Sequence, residues 1–151
     1  MTMTMIRSKQ KIIASVSLLG VAFALSGCIT PVNVVPGMCT SMRATTMLDV
    51  HLMFGLTKPN GQAISDDEWN SFTQNVVTPL FPSGFSVIAA NGQWKDTVTG
   101  SVTREPSRIL WIATPDRPNL QHDLNLIRER YKQDFAQQAV GLTIATECAS
   151  F

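Results

Sequence analysis

The 151-residue sequence predicts an α+β domain, because strand-like and helix-like hydrophobic patterns follow one another along it. Short apolar segments that are bounded by turn residues indicate strands, whereas two longer segments repeat apolar residues every three or four positions and indicate helices. Only 15% of the residues are charged, but apolar and aromatic residues recur throughout, so we expect a packed core rather than disorder.

The first strand is predicted over residues 46–56, where Leu48, Val50 and Leu52 alternate with more polar neighbours. After turn residues at 58–61, Ser65 and Glu68 have the spacing of a capping box, in which each residue bonds the other's backbone amide. This pattern predicts the start of a helix, which we expect Pro79 to end because the residue before a proline is pushed out of the α region.

The second half of the domain also contains predicted strands and a helix, in a different order. We predict strands over residues 85–94, 109–113 and 142–146, with a polar connection over 95–101 between the first two. Between the last two, apolar residues at helical spacing predict a long amphipathic helix that Gly141 punctuates. These helix residues are Leu120, Leu124, Ile127, Tyr131 and Phe135.

The resulting order of strand, helix, strand, strand, helix, strand is that of the ferredoxin-like βαββαβ sandwich. This fold is a four-stranded antiparallel sheet with two helices on one face. Its first and third strands are central, and its fourth strand lies antiparallel beside the first. Another small α+β sheet with a different strand order is the alternative.

The N-terminal segment has the features of an export signal. Basic residues precede an apolar run over residues 12–25, which is too short to be a typical spanning helix. It ends in Leu25-Ser26-Gly27-Cys28, which resembles the bacterial lipobox and predicts a lipid on Cys28 that anchors the protein to a membrane. An ordinary secretory peptide with an incidental cysteine is the alternative. We therefore expect a signal peptide over 1–27, a lipidated tether over 28–44 and one domain over 45–151.

The charge balance changes when this segment is removed. The whole chain has 12 Lys and Arg against 11 Asp and Glu, but three of the basic residues lie before residue 28, which leaves a formal charge of −2. This faintly acidic domain argues against a nucleic-acid partner. Ile29 stands where an aspartate would favour the inner membrane in lipoproteins of this kind, so the resemblance implies the periplasmic face of an outer membrane.

Two other cysteines flank the predicted sheet. Cys39 precedes the first strand and Cys148 follows the fourth, and antiparallel pairing of these strands would bring the two residues together. We predict a Cys39–Cys148 disulfide, which an oxidising compartment permits. Two free thiols are the alternative.

Several motifs in the domain resemble the bacterial domain-of-unknown-function family 3574. They occur in order over about residues 47–151 and include LMFGL at 52–56, VTPLFPSGF at 77–85, GQW at 92–94, REPSR at 104–108 and the C-terminal CASF. The resemblance implies small secreted proteins or lipoproteins, and it implies no activity.

The sheet face away from the helices is the predicted functional surface, because the third strand is apolar on both sides and needs cover on both. That face would bind a second copy in a homodimer or line a small-molecule pocket. The candidate pocket residues are Asp49, His51, Arg104, Glu105 and Arg108. An ion-pair cluster that fixes the strand, with His51 in solvent, is the alternative.

Common catalytic and cofactor motifs are missing from the sequence. It has no Gly-rich phosphate loop, no pair of CxxC motifs, no HExxH and no GxSxG elbow, so we expect no cofactor, no metal site and no assigned catalytic residue. We interpret the chain as a non-enzymatic envelope lipoprotein that uses the open sheet face. The alternative is a small cofactor-free enzyme of the dimeric α+β barrel kind, with His51 or Glu105 as base. Trp94 is read as packing in a hairpin, or else as a stacking platform.

Overall fold

The computed structural model describes residues 36–151, in which short helices and long strands alternate. The predicted signal peptide over 1–27, the lipidation site Cys28 and the tether up to residue 35 lie outside the described residues. In chain order the elements are α1 (Pro36–Ser41), β1 (Thr45–Gly55), α2 (Asp66–Phe72), a π-helical turn (Thr73–Val77), α3 (Thr78–Leu80), β2 (Ser86–Lys95), β3 (Val102–Thr114), α4 (Leu120–Phe135) and β4 (Gly141–Ala149).

The strands form one four-stranded sheet in the order β2-β3-β1-β4. Every neighbouring pair is antiparallel, so β1 and β3 are central and β2 and β4 are the edges. The predicted α+β class with a four-stranded antiparallel sheet is confirmed.

Burial alternates along the two central strands. Val50, Leu52 and Phe54 of β1 and Leu110 and Ile112 of β3 are buried on one face, against the helices. Because side chains of a strand alternate between faces, their neighbours point to the other side of the sheet. We call this second side the open face. Its central side chains are Asp49, His51, Met53, Ile88, Ile109 and Trp111.

The capping box at the start of α2 is confirmed. The Ser65 side chain accepts a hydrogen bond from the Glu68 amide at 3.2 Å, and the Glu68 carboxylate accepts one from the Ser65 amide at 2.9 Å. The Glu68 carboxylate also accepts a hydrogen bond from Lys58. These hydrogen bonds lower the pKa of Glu68, and the bond from Lys58 has the largest effect. Trp69 follows directly and is buried in the core.

The prediction that Pro79 ends this helix is wrong. The helical backbone continues through Pro79 to Leu80, by way of the π-helical turn Thr73–Val77. In this turn the amide of Thr78 bonds back to the carbonyl of Thr73, five residues earlier. The wider turn leads into α3, and Pro79 lies in the first turn of α3.

The long predicted helix is α4, and the five apolar residues predicted to face the core are buried. It ends at Phe135 rather than at Gly141. Ala136 adopts the left-handed conformation, with φ of 53°, and its amide bonds the carbonyl of Lys132. Gly141 instead begins β4. In the described residues, no helix has the length and apolar character that crossing a membrane requires.

Tyr131 of α4 connects the helices to the sheet. Its ring packs edge-on against Phe54 and Phe72, with ring centres 4.6 and 5.0 Å apart, and its hydroxyl donates to the Gly55 carbonyl at 2.7 Å. Burial, together with the negative charge of Glu105, raises the pKa of the Tyr131 hydroxyl.

The predicted disulfide between Cys39 and Cys148 is present, and their Cα atoms lie 5.5 Å apart. Cys148 pairs with Thr46 across β4 and β1, so antiparallel pairing brings the two cysteines together as expected. Cys39 lies on the short helix α1, which occupies part of the segment that was expected to be an irregular tether. The bond holds α1 against the end of the sheet.

Removing this disulfide is expected to destabilise the fold. The bond closes a loop with a sequence separation of 109 residues, so a Cys148→Ser variant should lose about 3–5 kcal/mol of unfolding free energy. Urea unfolding of the oxidised protein and the variant measures the difference. Added reductant should leave the variant unchanged, and equal midpoints for the two proteins would contradict a stabilising role.

The ionisation of Tyr131 is expected to be coupled to unfolding. An unfolded tyrosine ionises near pH 10, whereas the raised pKa keeps the folded hydroxyl neutral, so stability falls as the pH rises above about 10. Tyr131 is the only tyrosine in the chain, so phenolate absorbance in an alkaline titration reports it alone. Phenolate should form together with loss of structure. A titration near pH 10 in a still-folded protein would be inconsistent with this burial.

Candidate functional site

Asp49, His51 and Trp111 form a polar cluster on the open face. Asp49 and His51 are two residues apart on β1, and Trp111 pairs with His51 across β3. The indole Nε1 of Trp111 donates to Asp49 Oδ1 at 2.6 Å, and His51 Nε2 lies 3.2 Å from the same oxygen. The Trp111 and His51 rings meet edge-on at 6.4 Å. The Asp49 carboxylate therefore contacts both rings, and Met53 and Ile109 lie beside them on the same face.

Glu105 lies at the end of β1, away from this cluster. Its Oε2 accepts a hydrogen bond from the Thr57 amide at 2.9 Å. A Cβ at Gly55 would stand 2.5 Å from the other carboxylate oxygen, so the carboxylate occupies space that only a glycine at this position leaves open. Gly55 and Glu105 thus fit together as a pair.

Arg108 lies on the helix-covered face. Its guanidinium stands 5.0 Å above the ring of Trp69 and forms an ion pair with Asp66, in the first turn of α2. The guanidinium thus makes a cation–π contact and an ion pair, and both interactions connect β3 to α2. The side chain of Arg104 is exposed and forms no hydrogen bond or ion pair with another described residue.

The five predicted pocket residues therefore do not converge on one cavity. β3 begins at Val102, earlier than expected, so residues 104–108 belong to the strand rather than to its approach. Alternation within the strand sends Arg104 and Arg108 to one side and Glu105 to the other. Only Asp49 and His51 are in contact, and Arg108 has the ion-pair role that the alternative interpretation described.

The cavities of the described domain lie away from the centre of the open face. The largest described one, of about 590 Å³, lies between α4 and β4 and is lined by side chains that include Leu48, Leu124 and Ile144. Another, of about 420 Å³, includes Glu105 and Trp94 in its lining. Neither is lined by His51 or Trp111, so these two cavities lie away from the centre of the open face.

Two tryptophans are functional candidates in the structure. Trp111 is about two-fifths exposed and bonds Asp49, although it was read only as an apolar strand residue. Trp94, for which a stacking role was the alternative interpretation, is similarly exposed, pairs with Thr103 in the hairpin and lines a cavity. The sequence contained one signal that could have identified Trp111 as a candidate, namely an aromatic residue with a polar atom on a strand face that no helix covers. Within residues 36–151, no group of three or more His, Cys, Asp or Glu residues is placed to hold a metal ion.

Comparison with solved structures finds similarity at the level of the fold. A phage SAM lyase in complex with S-methyl-5'-thioadenosine superimposes with a TM-score of 0.53 and 12% identity, covering 68% of this chain and 90% of that chain. A phage SAM lyase in the apo state gives a TM-score of 0.47 with 14% identity, covering 70% of this chain and 92% of that chain. At such identities the likeness concerns the fold alone.

Comparison with protein families confirms the predicted kinship. No curated protein matches the sequence. A family model described as "Protein of unknown function (DUF3574)" matches residues 49–151, which is more than half of the chain and nearly all of the described domain. The chain belongs to the DUF3574 family.

Proposed function

We propose that this domain is a non-enzymatic binding module that self-associates through its open face. The observation that carries the proposal is an apolar surface without a recess. Ile88 is 44% exposed and Trp111 43% exposed, and Met53 and Ile109 lie between them on the central strands. A flat apolar sheet face suits another sheet, which packs against it at about 10 Å, better than it suits a small molecule.

The open face is large enough for a stable dimer. Four strands spaced about 4.8 Å apart, with about eight paired residues of about 3.3 Å each, cover roughly 500 Å². Two such faces would bury at least about 1,000 Å² in total, which reaches the lower limit for specific interfaces. The apolar side chains of Met53, Ile88, Ile109 and Trp111 lie at the centre of this face, and exposed apolar patches of a few hundred Å² often mark interaction surfaces.

The polar cluster on this face is compatible with burial. Asp49 Oδ1 already accepts a hydrogen bond from the Trp111 indole and lies 3.2 Å from His51, so this oxygen would keep a hydrogen-bond partner on burial. Tryptophan at the centre of a patch is also typical of residues that dominate binding energy.

The proposal also includes the strand arrangement and the membrane anchor that the sequence predicts. We assign the order β2-β3-β1-β4 to the ferredoxin-like βαββαβ arrangement, with the helices on one face. We also propose that the mature protein is a bacterial envelope lipoprotein, anchored through a lipid on Cys28. Seven residues separate Cys28 from α1, so the tether would reach at most about 25 Å and would keep the domain near the membrane.

A small cofactor-free enzyme is the second candidate. The contact between His51 and Asp49 favours it, because a carboxylate that orients a histidine is common in general-base catalysis. A phage SAM lyase shares the fold, but at 12% identity this likeness is no evidence for an activity of this chain. The separation of Arg104, Glu105 and Arg108 from His51 makes it the weaker candidate.

Two adjacent residues of β2 provide a matched test of self-association. Ile88 belongs to the open face and Val87 to the opposite one, and their exposed fractions are 44% and 46%. Ile88→Glu should weaken the dimer by about 2 kcal/mol or more, roughly 30-fold in Kd, because it buries a charge. Val87→Glu should leave it intact. Light scattering of the purified chains measures their mass, and a monomeric wild-type protein would disprove the proposal.

Cys28 provides the test of membrane attachment. Cys28→Ala should move the protein from the membrane to the soluble fraction of bacterial cells, because the anchoring acyl chains would be missing. Cys39→Ala, which removes only a disulfide partner, should stay in the membrane fraction. Membrane attachment of the Cys28→Ala protein would argue against lipidation.

A further inference from the structure

A polar cavity lies at one end of the sheet. It is bounded by the tip of the β2–β3 hairpin, the segment after β1 and the segment after α4, and its volume is about 420 Å³. This volume is within the range of pockets that hold small molecules. Its lining includes Trp94, Thr103, Glu105 and Gln137.

Trp94 offers an unoccupied ring surface to this cavity. It is 42% exposed and makes no ring contact with another aromatic side chain of residues 36–151. The other two tryptophans are engaged, since Trp69 packs against Phe54 and Trp111 bonds Asp49. An exposed indole at the wall of a cavity is suited to stacking on a ligand or to holding a cation above its face.

Glu105 offers a carboxylate oxygen to the same cavity. Oε2 accepts the bond from the Thr57 amide, whereas Oε1 has no hydrogen-bond partner in the described part of the chain. Glycines stand on both sides of this group, with Gly55 beneath the carboxylate and Gly92 opposite Glu105 on β2. The carboxylate is therefore held through Oε2, and its Oε1 rests against Gly55 without a hydrogen bond in the described residues.

The register of the hairpin brings the ring and the carboxylate together. Trp94 pairs with Thr103, and Glu105 lies two residues further along β3 on the same side of the sheet. Such diagonal neighbours have Cβ atoms about 7 Å apart. Both side chains line the same cavity.

The charges around the cavity favour a cation. Asp96 and Glu105 are acidic, and hydrogen bonds to Asp96, first from the backbone of Thr99, lower its pKa and keep it ionised. Lys58 is the basic residue of the lining, and its ammonium is paired with Glu68 at 2.6 Å. The lining therefore has a formal charge of −1, from Asp96 and Glu105 against Lys58.

We propose that this cavity binds a small organic cation with an ammonium group, recognised by the ring of Trp94 and the free carboxylate oxygen of Glu105. The indole face attracts the cation through its quadrupole, and Glu105 provides the opposite charge. By the register of β2 and β3, Trp94 and Glu105 lie on the same side of the sheet as the open face, but at its end and outside the central residues on which self-association is argued.

Choline and its uncharged isostere dimethylbutanol test the proposal on the purified full chain. Choline should shift the Trp94 indole signal in NMR spectra and saturate, and the isostere should bind at least tenfold more weakly. Calorimetry should show that Trp94→Ala and Glu105→Gln each weaken choline binding about tenfold. Glu129→Gln, which removes a carboxylate from the exposed surface of α4, is the control and should bind choline as the wild type does.

Glu105→Gln retains an acceptor for the Thr57 amide, so the variant is expected to fold, and its thermal unfolding verifies this. The proposal is overturned by the absence of a saturable choline shift, by equal binding of the uncharged isostere, or by unchanged binding in a folded Glu105→Gln variant. The molecular mass measured in the same samples reports self-association separately, so failure of one proposal is distinguishable from failure of the other.

Discussion

The antiparallel pairing of β1 with β3 determines which side chains are buried and which face outward. Along eight consecutive residue pairs, one side of both strands carries the apolar core and the other side carries the open face. The helices cover only the first side, through Trp69 of α2 and Tyr131 of α4, which both pack on Phe54. An apolar surface therefore remains on the second side, and the proposed self-association follows from it.

Local signals in the sequence predicted much of this architecture. The Ser65–Glu68 capping box, the spacing of the buried residues of α4 and the positions of Cys39 and Cys148 all correspond to observed contacts. The predictions of the two helix ends were wrong. A π-helical turn allows the helix to continue through Pro79, and Ala136 adopts the left-handed conformation that glycine usually adopts at a helix end.

The candidate site was less predictable, because it depended on where β3 begins. An error of a few residues at that boundary hid the alternation that separates Glu105 from Arg104 and Arg108. Asp49 and His51 were placed correctly on the open face, since their strand alternates clearly. Their bond to Trp111 depends on the register between two distant strands, and no local pattern contains that information.

The most direct measurement for the central claim is the accessibility of methyl groups on the two faces in solution. Addition of a soluble paramagnetic probe to the methyl-labelled chain should broaden the signal of Val87, which is exposed on the opposite side of the sheet. Signals of Met53, Ile88 and Ile109 should stay sharp if a second copy covers that face. Equal broadening of Ile88 and Val87 would show that the open face is solvated and would contradict the account.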